Sequence, residues 1–164
     1  MVVHVALINP RFPHNVGQAV RAVSVFGAEK LFMTGTRVEL VGRPGYRLPR
    51  EERMRGKYVG VTPTRRPFDA SPGLTPVAVE LTDGAEDLSW FVHPENALYV
   101  FGAEDGHLGS GELSQCHRFL QIPGLHCLNL ASAIAVVLAD RETKRVREGG
   151  LPLRPVSDWV CEDV

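Results

Sequence analysis

Apolar residues in this 164-residue chain fall into short continuous runs and longer segments with helical periodicity. The short runs are bounded by Gly, Pro or polar turns, which predicts buried strands. These lie at residues 2–8, 30–33, 75–81, 97–101 and 118–122, with a weaker candidate at 58–61. The remaining pattern predicts helices at residues 15–26, 49–55, 110–116 and 130–147, and a short helix or turn at 85–91. This alternation predicts an α/β fold with a mostly parallel sheet flanked by helices.

The ends of the two long helices carry recognisable signals. Gly27 is placed to end the first helix, and Asn129 is placed to cap the start of the last one. The final turns of the last helix are cationic, which suits the helix dipole, and Gly149 and Gly150 follow them. Both helices are therefore expected to pack an apolar face on the sheet.

The composition is that of one globular domain. The chain is 44% hydrophobic and 23% charged, and it shows no internal repeat or linker, so a domain is expected at residues 1–150 with a tail at 151–164. No apolar run is long enough to span a bilayer, and no basic segment precedes the first strand as in a signal peptide. Three cysteines at irregular spacing are typical of a reduced, cytoplasmic protein.

Charge is distributed unevenly along the chain, although the formal net charge is only −1. Nine of the 18 Lys and Arg residues lie between Arg37 and Arg66, whereas residues 67–117 contain nine acidic side chains and no Lys or Arg. Such segregation produces a positive surface that the total charge conceals. The basic segment is either a solvated loop and helix or a phosphate-binding surface.

Three loops that follow predicted strands carry the candidate chemistry. Asn15 and Arg21 in the first loop and helix are either a helix cap with a surface arginine or an anion site. The second loop, residues 102–109, is glycine-rich but matches neither a dinucleotide fingerprint nor a P-loop. It is either an ordinary turn or a loop that lets the backbone approach a ligand. The third, residues 122–129, leads into the last helix at Asn129. Ligands of open α/β sheets bind beyond the carboxyl ends of the strands, where these loops are expected to meet.

These loops contain a recognisable set of motifs in a fixed order. The motifs are Asn-Val-Gly-x-x-x-Arg at residues 15–21, Phe-Gly-x-Glu-x-x-x-Leu at 101–108, and Ile-Pro followed by Leu-Asn-Leu at 122–130. The pattern resembles the SpoU/TrmH branch of the SPOUT methyltransferases and covers nearly the whole chain. The chain is most similar to the minimal TrmL-like enzymes, which methylate a ribose 2′-hydroxyl at the wobble position of tRNA.

The resemblance implies a fold, a cofactor and partners. The family has a deep trefoil knot near the C-terminus, whose loops hold S-adenosylmethionine in a bent shape. By motif match, the cofactor contacts would be Ala78, Val79, Glu80, Phe101, Gly102, Ile122, Pro123, Cys127 and Leu128. Family members are homodimers whose active site is completed across the interface by the knot region and the first helix. The basic segment would then bind RNA through Arg43, Arg47, Arg50, Arg53, Arg55 and Lys57.

The resemblance also implies the reaction and the residues that perform it. Arg21, Asn15, Glu104 and Asn129 match the polar positions around the reacting centre. Arginine stays protonated, so Arg21 is interpreted as a cation that steers a phosphate and stabilises the developing oxyanion. Glu104 would orient Arg21 or Asn15. The predicted reaction is S-adenosylmethionine-dependent 2′-O-methylation of tRNA, with rRNA as an alternative substrate. No resident metal, DNA partner or membrane partner is expected.

Two residues depart from the family pattern. Cys127 and Ala131 stand where the family usually has serines, and a thiol is only a weak hydrogen-bond donor. A neighbour such as His126 would have to replace the lost donor, or the enzyme would be slower. A non-catalytic RNA-binding protein of the same fold is therefore a rival interpretation.

Two further alternatives come from outside the family. The pairs Cys116-His117 and His126-Cys127 could converge on zinc, although their spacing matches no common zinc finger. A flavodoxin-like or Rossmann nucleotide-binding module is the other alternative, and the missing phosphate fingerprint argues against it.

Overall fold

A parallel sheet forms the centre of the protein. The computed structural model describes residues 1–38 and 59–153. Within these residues the strands are β1 Val3–Leu7, β2 Lys30–Met33, β3 Val61–Pro63, β4 Thr75–Val79, β5 Glu86–Asp87, β6 Ala97–Phe101 and β7 Arg118–Gln121. The helices of the same residues are α1 Pro13–Val25, α2 Ser110–Leu113 and α3 Leu130–Arg147.

The sheet order is β3-β2-β1-β6-β4-β7-β5, and all the neighbouring strands are parallel. β6 is central: Tyr99 lies opposite Val5 of β1 on one side and Val77 of β4 on the other. All five residues of β1 and of β6 are buried, as their continuous apolar runs predict. Because the strands are parallel, the loops after β1, β4, β6 and β7 meet at one edge of the sheet.

The two faces of the sheet are covered differently. Helices α1 and α3 pack against each other and share one hydrophobic cluster with the sheet, to which they contribute Val20 and Ile134. The opposite face holds a smaller cluster around Leu98 and Val100, with Phe68 and Leu113 packed against it from the connecting segment and α2. The predicted α/β fold with a parallel sheet and flanking helices is confirmed, whereas the trefoil knot stays a prediction.

Several element boundaries differ from the sequence predictions for local physical reasons. Helix α1 begins at Pro13, because proline at the first helical position lacks only a donor that would be unpaired there anyway. The segment predicted as a short helix or turn contains the two-residue strand β5, which pairs with the edge of β7 before a turn. The weak strand begins at Val61 rather than 58. The helix predicted at residues 49–55 lies outside the described residues.

The chain turns back on itself after α3. Gly149 has a φ of 96°, a backbone conformation that favours glycine. Leu153 then donates its backbone N–H to Glu142, whose carboxylate also accepts from Arg145. Residues 151–153 therefore lie against the end of α3, and the rest of the predicted tail is outside the described residues. No helix in the described part of the chain is long and apolar enough to cross a membrane.

Candidate active site

A cleft of about 510 Å³ opens at the carboxyl edge of the sheet, beyond β4, β6 and β7. Its apolar wall includes Val79, Phe101, Ile122 and Leu130, and the loops at residues 102–107 and 122–128 form its rims. This volume is in the range of small-molecule and cofactor sites, roughly 300–1,000 Å³. The sheet topology thus places a ligand-sized cleft where the sequence predicts one.

Most of the predicted cofactor contacts line this cleft. They are Val79, Glu80, Phe101, Gly102, Ile122, Pro123, Cys127 and Leu128. Ala78 is not among the residues that line the cleft, and its side chain is buried in the cluster on the other side of the sheet, so its contact with the cofactor stays a prediction. Alternate residues of a strand point to opposite faces, so the neighbours Ala78 and Val79 cannot present side chains to the same space.

Glu80 connects the end of β4 to the glycine-rich loop. Its carboxylate accepts the backbone N–H of Leu108 at 2.9 Å and lies 3.1 Å from Nδ1 of His107. A Cβ on Gly102 would lie 3.3 Å from the backbone nitrogen of Leu108, closer than most side chains tolerate. The close approach explains the need for glycine at position 102. No feature of the sequence points to the contact with His107.

Three of the predicted catalytic residues form one hydrogen-bonded chain at the rim of the cleft. Asn129 caps α3 by accepting the N–H of Ala131 at 2.9 Å, and its amide donates to the side-chain oxygen of Asn15 at 2.9 Å. The amide of Asn15 donates in turn to Glu104 at 2.7 Å. We call this the Asn129–Asn15–Glu104 chain. It joins the last helix, the first helix and the loop after β6.

Asn15 is 2% exposed, and it lies in the first turn of α1 rather than at its cap. A buried amide needs hydrogen-bond partners, and Glu104 and Asn129 supply them. Of the two residues that Glu104 was predicted to orient, Asn15 is the one that it contacts in the structure.

Two opposing effects act on the pKa of Glu104. Burial on its own raises the pKa of this carboxyl, but hydrogen bonds from the Asn15 amide and from the backbone N–H groups of Arg11 and Phe12 outweigh it. The net effect lowers the pKa below its usual value. A charged acceptor with three donors holds the N-terminal segment of α1 against the loop after β6.

Arg21 lies on a different side of α1 from Asn15. Six residues of helix correspond to about 240° of rotation, and Arg21 is exposed whereas Asn15 is buried. The structure therefore does not bring Arg21 into the Asn129–Asn15–Glu104 chain. The six predicted RNA contacts from Arg43 to Lys57 lie outside the described residues.

The two cysteines of the zinc alternative have different surroundings. Cys116 is buried, which raises the pKa of its thiol to about 11, with a further contribution from the charge of Glu112. Cys127 is exposed at the cleft. Among residues 1–38 and 59–153, no group of three or more His, Cys, Asp or Glu side chains is arranged to hold a metal ion.

An α/β protein with a parallel sheet, a cofactor-sized cleft beyond its strands and a polar chain at the rim is typical of ligand-dependent enzymes. Residues 2–139 match the SpoU rRNA Methylase family. The chain therefore belongs to this family, and the family prediction made from the three motifs is confirmed.

Individual relatives agree with the family. The chain is 28% identical to the tRNA (cytidine-2′-O-)-methyltransferase TrmJ of Methanocaldococcus jannaschii, covering 90% of this chain and 70% of that protein. It superimposes on a structure described as giving insight into the 2-OH methylation of C/U34 on tRNA, with a TM-score of 0.72, 24% identity and coverage of 90% and 97%. An AdoMet-bound rRNA methyltransferase from Sinorhizobium meliloti has a TM-score of 0.70 at 20% identity, covering 87% of this chain and 56% of that one.

The length of the chain differs from that of several similar structures. This chain spans 56% to 61% of four of the solved structures that it matches. It spans 97% of the structure concerned with C/U34 of tRNA. In all five comparisons the matched region covers 87% to 90% of this chain.

Proposed function

We propose that this protein transfers a methyl group from S-adenosylmethionine to a ribose 2′-hydroxyl of tRNA. The observation that carries the proposal is the position of the Asn129–Asn15–Glu104 chain at the rim of the cleft. Glu104 belongs to this chain and also lines the cleft. A cofactor in the cleft would thus lie beside a rigid polar site. The similarity to TrmJ and to the structure concerned with C/U34 of tRNA supports tRNA as the substrate.

The cleft has the chemistry that the cofactor needs. Apolar side chains of Val79, Ile122 and Leu130 offer a surface for the adenine ring, and the loops after β6 and β7 present backbone polar groups. Gly102 lines the cleft, and the absence of a side chain there lets a ligand approach the backbone closely. Residues of these types fit S-adenosylmethionine better than a free phosphate, since the described residues that line the cleft include no Lys or Arg.

The residues of this chain provide positioning and electrostatic stabilisation for the reaction. S-adenosylmethionine, when bound, supplies an electrophilic methyl group. The Asn129–Asn15–Glu104 chain holds α1, α3 and the loop after β6 in one arrangement, so that the ribose hydroxyl enters a preorganised site. Arg21 stabilises the negative charge that develops on the ribose oxygen, and the hydroxyl proton passes to solvent water.

We place the activity in a homodimer. Arg21 and Asn15 of one chain lie on different sides of α1, so a site that needs both is completed by the Arg21 of a second copy. Leu125, which is 96% exposed at the rim of the cleft, and the exposed Leu128 support an apolar interface there. Sedimentation should give twice the 18.0 kDa mass of the chain, and a monomer at the enzyme's working concentration would contradict the dimer.

A cytoplasmic location is the remaining part of the proposal. Cys116 and Cys127 are free thiols. Free thiols are typical of a reducing compartment, which supports this placement. Cell fractionation with an antibody against the protein tests it.

Gly102→Val is expected to weaken binding of S-adenosylmethionine at least about tenfold. The Cβ of any residue here presses on the backbone of Leu108, and the two further methyl groups of valine displace the loop or enter the cleft. Isothermal titration with the cofactor alone measures the change. The matched control is Gly111→Ala, since a Cβ there meets nothing within 4 Å. Unchanged affinity in Gly102→Val would place the cofactor elsewhere.

The function is tested by transfer of labelled methyl from S-adenosylmethionine to unmodified tRNA transcripts and to rRNA transcripts, assayed separately. Label in tRNA, located by nuclease mapping at a ribose 2′-oxygen, would support the proposal. Label confined to rRNA would assign the alternative substrate. Cofactor and RNA binding without label would point to a non-catalytic member of the family, for which the replacement of the usual serine by Cys127 is the motivating feature.

A further inference from the structure

Beside the catalytic candidates, two arginines converge on one carboxylate. Asp105 follows Glu104 in the loop after β6, and it accepts two hydrogen bonds from Arg37, at 2.9 and 2.7 Å. Arg11, from the loop after β1, donates to the same carboxylate at 3.0 Å. Loops that follow β1, β2 and β6 thus meet at one point. We call Arg11, Arg37 and Asp105 the arginine clamp.

The clamp carries an excess of positive charge that stays exposed. The side chains of Arg11, Arg37 and Asp105 are 51%, 33% and 38% exposed. Hydrogen bonding to Arg37 holds the pKa of Asp105 below its usual range, so the carboxylate is ionised and the three residues sum to one positive charge. A guanidinium has five N–H donors, and Asp105 accepts one of those of Arg11. Arginine donors of this kind suit the oxygens of a phosphate.

The arrangement exceeds what a structural ion pair requires. Exposed ion pairs contribute little to stability, so a second arginine on one surface carboxylate gains little for the fold. Both arginines are instead held in defined positions. Arg37 also donates to the backbone carbonyl of Asn9, whose φ of 48° is rare outside glycine. The carboxylate orients the two cations without neutralising both.

Arg11 connects the clamp directly to the candidate active site. Its side chain contacts Asp105, while its backbone N–H donates to Glu104 at 2.6 Å. A phosphate bound to the clamp would therefore lie next to the Asn129–Asn15–Glu104 chain. Contacts of this type fix the register of a nucleic acid on a protein without reading its bases.

We propose that Arg11 and Arg37, held side by side by Asp105, bind the backbone phosphate adjacent to the nucleotide whose ribose is methylated. The proposal rests on the proposed function and names a phosphate contact for it. The ligand is an RNA phosphodiester. Arg37 also stands at the start of the basic segment, so the clamp would join that segment to the reacting centre.

The test measures binding of unmodified tRNA transcripts by Arg11→Gln, Arg37→Gln and the double variant at several salt concentrations. Each single substitution should reduce the slope of log affinity against log salt by about 1, and the double variant by about 2. The KM for RNA should rise with a much smaller change in kcat, and cofactor affinity should be unchanged. The control is Arg147→Gln, about 25 Å along α3 from its cap.

Asp105→Asn distinguishes phosphate binding from a purely structural role, in which the ion pairs only join the three loops. It keeps both cations, so the salt slope should stay at the wild-type value and the loss of RNA affinity should be smaller than in the double variant. If the three residues only hold the loops together, all the variants should lose RNA affinity equally and the salt slope should not change. That result would overturn the proposal. If the arginine variants show the reduced salt slope but the wild-type protein binds RNA without methylating it, the clamp is supported and the proposed function is refuted.

If the wild-type protein methylates RNA and the arginine variants keep the wild-type salt slope, only the clamp is refuted.

Discussion

Arg21→Ala is expected to lower the rate of methyl transfer to RNA at least about 100-fold. Loss of one preorganised electrostatic stabiliser has an effect of this size in other enzymes. Arg21 is exposed on α1, so the fold and the affinity for S-adenosylmethionine should change little. Arg21→Lys should recover only part of the rate, because a lysine keeps the charge but loses the planar fork of donors. Single-turnover transfer of labelled methyl measures both variants.

The control for this prediction is Arg147→Ala, an exposed arginine in the last turn of α3. Its rate should match the wild type. Near wild-type transfer by Arg21→Ala would remove Arg21 from the reaction. A low rate caused by weak RNA binding would appear instead in KM and would assign Arg21 to substrate binding.

Mixing two inactive variants tests whether Arg21 serves the second subunit. In a heterodimer of Arg21→Ala and Glu104→Gln, one site has both substitutions and the other has neither, if Arg21 acts across a two-fold interface. Random reassociation should then restore about a quarter of the wild-type activity. If Arg21 acted within its own subunit, every site in the mixture would keep one substitution and no activity would return.

Glu104→Gln is expected to reduce both methyl transfer and stability. Glu104 accepts from the Asn15 amide and from the backbone N–H groups of Arg11 and Phe12. In either orientation of a glutamine side chain, its NH₂ group faces at least one of these N–H groups and cannot accept a hydrogen bond from it. The unpaired group at Asn15 is buried, so we expect a loss of about 1–3 kcal/mol in the free energy of unfolding, measured by urea denaturation. The rate of methyl transfer should also fall, even where the variant is fully folded, because the Asn129–Asn15–Glu104 chain loses its charged end.

The pH dependence of stability identifies the charge as the cause. The pKa of Glu104 is lower in the folded protein than its ordinary value, so the folded state binds fewer protons than the unfolded state between the two values. This contribution is fully present above the ordinary pKa and is lost as the pH falls through the folded pKa. Glu104→Gln should lack it, so its stability should depend less on pH in that acidic window.

Glu148→Gln is the matched control, since Glu148 is an exposed carboxylate at the end of α3. Its free energy of unfolding at neutral pH should be close to that of the wild type. Equal stability of Glu104→Gln and wild type at neutral pH would show that the hydrogen bonds to Glu104 do not contribute to the fold.

The pattern of apolar residues was sufficient to predict the architecture, because the burial of a strand or helix requires apolar residues at particular positions within that same segment. A strand buried on both faces must be apolar at every position, as in β1 and β6, and a helix packed on a sheet must show its apolar face at regular spacing. Very short elements cannot be predicted in this way, because they contain too few residues to show a pattern. Strand β5 consists of Glu86 and Asp87, and only its pairing with β7 makes it a strand.

The three motifs located the residues around the cleft, because each motif directly follows a strand and parallel strands end at one edge. What the residues contact depended on the fold. Asn15, Glu104 and Asn129 are far apart in the chain, and their hydrogen bonds exist only because α1 packs on α3 beside β6. On β4, the alternation of side chains between the two faces of the sheet buries Ala78 in the opposite cluster, whereas Val79 lines the cleft.

The sequence by itself determined the family and the parallel sheet and predicted the place of the ligand, since these depend on local patterns and on motifs that occur in a fixed order along the chain. The tertiary structure alone decided the partners of each polar side chain. Glu104 and Asp105 are neighbours in the chain, yet one bonds Asn15 and the other bonds Arg37. A hydrogen bond forms over about 3 Å, and no sequence pattern specifies distances of that scale between segments that only folding brings together.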